Sequence, residues 1–184
     1  CLYESYRDFG SRGYYAPIVN LVQAANLLGE SPRLSNLQNP GFLVHPQGIY
    51  GPPPGWEGVG PLGTWGSAGD IYFDATSQSG DRSLALQSVG AQAQSRWVPV
   101  IDGRVYETRV TWQGNHVADE LTVEVSYYDA TRTLTSTTQV INTVVTAINT
   151  WQVNAGIAAT ASGDRWAKIT LEKSAGTRIL VDRV

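Results

Sequence analysis

An all-β fold, an antiparallel β-sandwich preceded by an N-terminal arm with one short helix, is what this sequence predicts. Three observations lead there. From about Leu34 onward, short apolar runs are separated by Gly, Asp, Asn and Ser turns. The longer runs alternate apolar and polar residues, and no helical period falls between them. Charged residues make up only 16% of the chain while 42% is hydrophobic. That charge content is well below the roughly 25% usual in soluble domains and suits a neutral, polar sheet surface.

The arm, residues 1–33, carries Tyr3, Tyr6, Phe9, Tyr14 and Tyr15 among charges and glycines without a clear period. In "APIVNLVQAANLLGE", Ile18, Leu21, Val22, Ala25 and Leu28 recur at helical spacing. Pro17 suits a first turn and Gly29 a C-terminal cap, giving a helix of about three turns. So short a helix must bury its apolar stripe, under its own domain or against copies of itself or a larger assembly. Five aromatics in the first fifteen residues favour the second, because exposed rings are costly unless a surface receives them. Tyr3, Tyr6, Phe9, Tyr14, Tyr15, Ile18, Leu21 and Val22 are therefore the candidate partner-binding residues.

The second region, 34–184, reads as strands: "DIYFD", "SLALQS", "SRWVPVI", "RVYETRVTW", "LTVEVSYYD", "TLTSTTQVI", "TWQVNAGIAAT", "WAKITLEK" and "TRILVDRV". Tyr106, Thr108, Val110 and Trp112 share one face of their strand, as do Leu121, Val123, Val125 and Tyr127 of the next. Asp102-Gly103, both tolerant of positive φ, predicts a hairpin. Ser162-Gly163-Asp164 and Ala175-Gly176 separate the last strands.

Asn39-Pro40-Gly41-Phe42, Gly55-Trp56, the Gly103 to Tyr106 turn and the closing Asp182-Arg183-Val184 follow one another in this order. The run resembles the jelly-roll carbohydrate-binding modules of the family-4/9 type, within the wider galactose-binding-like fold, as found in phage surface and decoration proteins. The resemblance implies a jelly roll over 34–184. Physically, Gly41 lets the chain turn into the sheet so that Phe42 drops into the core. Gly55-Trp56 sets a large ring at the sandwich edge after the stiff Pro52-Pro53-Pro54 crossing. Such modules often hold a structural calcium with an acid just after the first motif and the aspartate near the end. Leu43 stands where that acid is expected, leaving Asp182 with backbone carbonyls. Calcium takes six or more oxygens, so neither a metal nor another cofactor is expected.

No catalytic residue emerges. His45 and His116 stand in unrelated contexts without ligand spacing, and no nucleophile elbow or phosphate loop occurs. Asp119 and Glu120 read as the solvated face of a loop. Cys1 cannot make an internal disulfide and has nothing nearby to lower its pKa. With 13 Lys and Arg scattered and a net charge of −3, nucleic acid is excluded as a partner, and no apolar run is long enough to span a membrane. The absence of methionine reads as a processed or partial chain. For binding, Tyr50, Trp56 and Trp65 lie in a Gly/Pro-rich stretch. They either stack on a glycan or close the end of the sandwich over its core. Trp97, Trp112, Trp151 and Trp166 read as core or sheet-face residues, and Asp74, Gln78, Arg82 and Asp119 as possible polar contacts.

Three non-enzymatic functions fit. The first is a virion structural protein, a capsid decoration or cement protein or a head or tail fibre. Its arm would dock on a larger protein shell, it would form a homotrimer, and the sandwich would project outward. The second is an extracellular carbohydrate-binding module of a secreted enzyme, which predicts a Pro/Ser/Thr-rich linker before Asn36 where a helix with aromatics stands instead. The third, a bacterial surface lipoprotein adhesin, rests on Cys1 alone. Cell-surface glycan is a partner shared by the first two.

Overall fold

Eleven strands and no helix are formed by residues 52, 55–66, 70–78 and 82–184, which are those that the computed structural model describes. The arm with its expected helix and partner-binding residues, the Asn39 to Phe42 phrase, His45 and Tyr50 lie outside them. All described residues belong to one compact unit, Leu37–Val184.

The strands are β1 (Trp56–Val59), β2 (Ile71–Asp74), β3 (Ser83–Leu86), β4 (Gln92–Ser95), β5 (Val98–Pro99), β6 (Val105–Gly114), β7 (Glu120–Tyr128), β8 (Leu134–Val144), β9 (Gln152–Ala159), β10 (Trp166–Ala175) and β11 (Ile179–Arg183). Sheet I runs β1-β4-β10-β7-β8, with β5 also on β10, and sheet II runs β2-β3-β11-β6-β9. Every paired strand is antiparallel, and the two sheets form a jelly-roll sandwich around a core containing Trp56, Phe73, Leu84, Trp112, Leu121, Leu171 and Ile179.

The alternation read in the two long strands holds. Val110 and Trp112 of β6 and Leu121, Val123, Val125 and Tyr127 of β7 are buried, and Thr108 with them. Four expectations change. Residues 56–59, taken as loop, form β1 on β4 from Trp56↔Ser95 to Val59↔Gln92, and the indole of Trp56 points into the core. "SRWVPVI" is not one strand. The chain breaks after Ser95, and Val98–Pro99 then pairs with β10 separately.

Asp102-Gly103 does make a tight turn, with Gly103 at φ 68°, but it joins β5 of sheet I to β6 of sheet II and so closes no hairpin. The dipeptide sets local backbone, not the strand's partner. Mutual hydrogen bonds between Thr160 and Arg104 anchor the crossing: Thr160 N donates to Arg104 O (2.8 Å), and Arg104 N to Thr160 Oγ1 (2.9 Å).

Asp119 is likewise not the solvated loop residue expected, being fully buried. Its Oδ2 accepts the backbone N–H groups of Asn115 (2.7 Å) and His116 (2.8 Å), and its Oδ1 those of Thr177 and Arg178. One buried carboxylate thus ties together backbone donors from two turns. Gly176, at φ 85°, makes room: a Cβ there would sit 2.1 Å from Asp119 Oδ1. Lys173 faces the same interior end, donating to Gly176 O (2.8 Å). Burial holds its pKa below the usual value, and the charge of Asp119 opposes that shift.

Candidate functional site

The outward side of sheet I carries the richest array of polar and aromatic side chains. Alternation turns Ala167, Ile169, Leu171 and Lys173 of β10 inward and Trp166, Lys168, Thr170 and Glu172 outward. Antiparallel register then fixes which outward residues stand side by side. A first row is Trp166, Tyr128 and Leu134; a second is Lys168, Ser126 and Thr137. A third row crosses five strands as Glu57, Gln94, Thr170, Glu124 and Gln139. A fourth runs Val59, Gln92, Glu172, Thr122 and Asn142. Bulges in the β7/β8 pairing, at Val123/Glu124 and Tyr127/Tyr128, keep Gln139 and Leu134 on this face. Rows two residues apart are separated by about 6.5 Å, so the face extends about 20 Å along the strands.

Much of this array is bonded to itself. Gln94 Nε2 donates to Thr170 Oγ1 (2.9 Å), Gln92 Nε2 to Glu172 Oε2 (2.8 Å) and Thr122 Oγ1 to Ser174 Oγ (3.1 Å). Lys168 Nζ donates to Glu57 Oε1 (2.7 Å) and Gln94 Oε1 (3.0 Å). Glu124, half-buried at the centre, has no hydrogen-bond or ion-pair partner among the described residues. Its carboxylate is acceptor-only when ionised and is available to hydroxyl donors from outside.

One end of the face is aromatic. Trp97 meets Tyr128 edge-on, with centroids 4.8 Å apart at 84°. Lys168 Nζ lies 4.7 Å from the Trp97 ring centre, and Arg132 Cζ lies 5.0 Å from Trp97 and 5.5 Å from Trp166. These are cation–π distances. Arg132 is held there by the β7–β8 turn, in which it adopts φ 65°. Asp129 Oδ1 ties that turn together by accepting from Thr131 N (2.8 Å), Thr131 Oγ1 (2.7 Å) and Thr133 N (2.9 Å). The bond from the Thr131 hydroxyl, followed by that from Thr133 N–H, holds the Asp129 carboxyl below the usual range.

Chemically, the face offers amides, hydroxyls and carboxylates beside half-buried rings, with Lys168 and Arg132 set against Glu57, Glu124 and Glu172. That balance suits a neutral, hydroxyl-bearing ligand better than a polyanion. Glu124 and Glu172 rise from neighbouring strands of the same surface, so they would touch a bound chain from one side. Glycoside hydrolysis calls for two carboxylates flanking the scissile bond.

Of the residues picked out from sequence for glycan binding, the described ones, Trp56 and Trp65, fall elsewhere. Trp56 is 1% exposed and has no ring face to offer a sugar. Trp65 is half-buried beside sheet II, bridged to Ile71 and 5.7 Å from the Phe73 ring. Of the polar candidates, Asp74 is ion-paired with Arg178 (3.0 Å), and Asp119 is the turn anchor described above. Gln78 N donates to the buried Asp182 (3.1 Å). Among the described residues no group of three or more His, Cys, Asp or Glu is placed to hold a metal ion. Sequence reasoning missed Gln92, Gln94, Glu124 and Lys168, and it left Trp97 and Trp166 as generic sheet residues. The available signal was the chemistry of the outward positions in "QAQS", "TVEVSYY" and "AKITLEK".

No protein-family model and no curated protein sequence matches the chain. Solved structures match its fold. The CBM22-1 and GH10 modules of a Clostridium thermocellum endo-1,4-β-D-xylanase complexed with xylohexaose align at 16% identity and a TM-score of 0.58, over 80% of this chain and 27% of that one. A family 61 carbohydrate-binding module in complex with β-1,4-galactotriose aligns at 14% identity and a TM-score of 0.50, over 82% of this chain and 95% of that one. The enzymatically active domain of tailspike protein 4 of bacteriophage CBA120 aligns at 14% and 0.52, over 83% of this chain and 21% of that one. At such identities the likeness is one of fold. The fold is the jelly roll found in carbohydrate-binding modules of families 22 and 61 and in a phage tailspike; membership of family 4/9 is not among these matches.

Proposed function

We propose that the sandwich is a non-catalytic carbohydrate-binding module that lays a neutral glycan along the outer face of sheet I. The observation that carries the reading is the unpaired Glu124 carboxylate at the centre of ordered amide and hydroxyl rows, with the Trp97, Tyr128 and Trp166 rings at one end. Ring faces would stack on the apolar C–H side of a sugar, while Glu124, Gln94 and Gln92 would meet its hydroxyls. The likeness in fold to modules crystallised with xylohexaose and β-1,4-galactotriose supplies the first probes.

Titration calorimetry with these two oligosaccharides, backed by affinity electrophoresis in soluble β-glycans, tests the proposal. Glu124→Ala is expected to weaken binding about tenfold or more, since a hydrogen bond to a charged group contributes roughly 1.5–3 kcal/mol. Trp97→Ala is expected to do likewise. Binding that survives both substitutions unchanged, or no binding to any glycan of the panel, rejects the site.

A second reading concerns where such a module works. The likeness to a phage tailspike domain favours a virion surface, as part of a fibre or decoration protein. There the arm would anchor the chain to a shell and to its own copies, with the sandwich turned outward. A secreted, extracellular module is the other setting.

A further inference from the structure

We infer that the protein has a second ligand site, on sheet II, shaped for one neutral pyranose ring. This is independent of the reading given to sheet I. A cleft of about 270 Å³ opens beside Thr76, where the β6–β7, β8–β9 and β10–β11 connections meet. Its floor is Gln113 of β6 beside Leu180 of β11, which are register partners on the outward side of the sheet. Its walls are Thr76, Asn149, Trp151 and Arg178. Drug-sized ligands occupy roughly 300–1,000 Å³, so this volume suits a single ring and not a chain.

Gln113 points most directly to a ligand. It is 6% exposed, yet its carboxamide has no hydrogen-bond partner among the described residues. A primary amide has two donor hydrogens and an acceptor oxygen, and those of Gln113 are not among the polar atoms sealed off from solvent, so they are reachable from the cleft that Gln113 lines. A polyol entering the cleft would supply both kinds of partner.

The walls specify the chemistry. Arg178 Nη1 is engaged by Asp74 Oδ2 (3.0 Å) and Tyr72 Oη (3.3 Å), so its charge is already compensated and the cleft is no trap for anions. Side by side, guanidinium and carboxylate form a donor–acceptor pair of the kind adjacent sugar hydroxyls satisfy. Trp151, half-buried, offers a ring for the C–H face. The rim is built in advance. Asn149, at φ 52°, donates its N–H to Gly114 O (2.7 Å), fixing the β8–β9 loop against β6. The Asn115 amide, with its nitrogen inward, donates to Asp119 Oδ2 (3.0 Å) and Arg178 O (3.2 Å), which pins the β10–β11 turn.

The test titrates the full chain with D-glucose, D-galactose and D-xylose, with D-glucuronate as the charged control. The readout is the NMR signals of the Gln113 side-chain amide and the Trp151 indole. A neutral sugar is expected to shift both saturably in the millimolar range. Gln113→Leu and Trp151→Ala should each weaken that response at least tenfold, and Glu124→Ala should leave it unchanged. A shift seen only with the terminal residue of an oligosaccharide also supports the site and makes it a chain-end reader. Response to glucuronate alone overturns the neutral-ring assignment. No saturable shift, or an undiminished one in a folded Trp151→Ala variant, overturns the site itself. Loss of the sheet I response in Glu124→Ala, with this one intact, separates the two sites.

Discussion

Tyr127 carries an unresolved cost, as do Trp65 Nε1 and Gln152 Nε2, the other buried side-chain polar atoms left without a partner among the described residues. Its ring packs with Val100, Val125, Ala158 and Ala167, while its hydroxyl is buried without a partner. Desolvation first, then the charge of Asp164 and the neighbouring Tyr106, push its pKa up to about 12. The folded chain therefore keeps the phenol proton between about pH 10 and 12, while the unfolded chain has released it. Over that window the unfolded state binds fewer protons, so stability falls as pH rises, by up to about 1.4 kcal/mol per pH unit. Lys173 acts in the opposite sense at lower pH. Its pKa is depressed in the fold, so stability is gained as pH climbs from that lowered value towards 10.5, and only a comparison between variants isolates Tyr127. Tyr127→Phe is expected to match or exceed the parent at pH 7, because leaving a buried hydroxyl unpaired costs about 1–3 kcal/mol. It should also decline more gently above pH 10. Urea melts from pH 8 to 11.5 decide the matter; parallel declines in both proteins would contradict the assignment.

At the scale of elements, the sandwich closes on one side where β8, the last strand of sheet I, passes β9, the last of sheet II. Their backbones meet at Gly156, where a Cβ would lie 2.0 Å from Val140 O. No side chain fits, so the missing methyl is what lets the two edges touch. Gly156→Ala should then cost about 1–3 kcal/mol, as overpacking does, whereas Ala155→Val, on the exposed neighbour, should cost almost nothing. Equal denaturation midpoints for the two variants would mean that the seam has slack. This seam also marks where the sequence stops being informative. The β6 and β7 alternation was readable because ten- and nine-residue strands are long enough to show a period. β1 and β5, at four and two residues, are not, so Trp56 was read as a loop aromatic. The binding rows were hidden for another reason. Gln94 and Thr170 are bonded across 76 residues of sequence, and only inter-strand register brings them together.

At the scale of the molecule, the question is whether assembly belongs to the arm or to the module. The module has an exposed apolar surface of its own: Val105, Val153 and Ile157, exposed by 66%, 56% and 69%, share the outward side of the β6/β9 pair. The arm's 33 residues hold five aromatics and a set of apolar residues at helical spacing in sequence. Single exposed aliphatics are ordinary on monomers, and here the Glu107–Arg109 ion pair (2.9 Å) interrupts them. So dense a run of rings is not ordinary. Deleting residues 1–33 is therefore expected to convert an oligomer, a trimer on the virion-surface reading, into a monomer, as followed by light scattering coupled to size exclusion. The far-UV β signature and the glycan affinity per chain should not change, because the described residues that build both sites and the core clusters all follow Gly55. A full-length chain that runs as a monomer would remove the assembling role from the arm. A truncated chain that keeps its oligomeric mass would transfer that role to the β6/β9 surface, where Ile157→Asp would then be the variant to dissociate it.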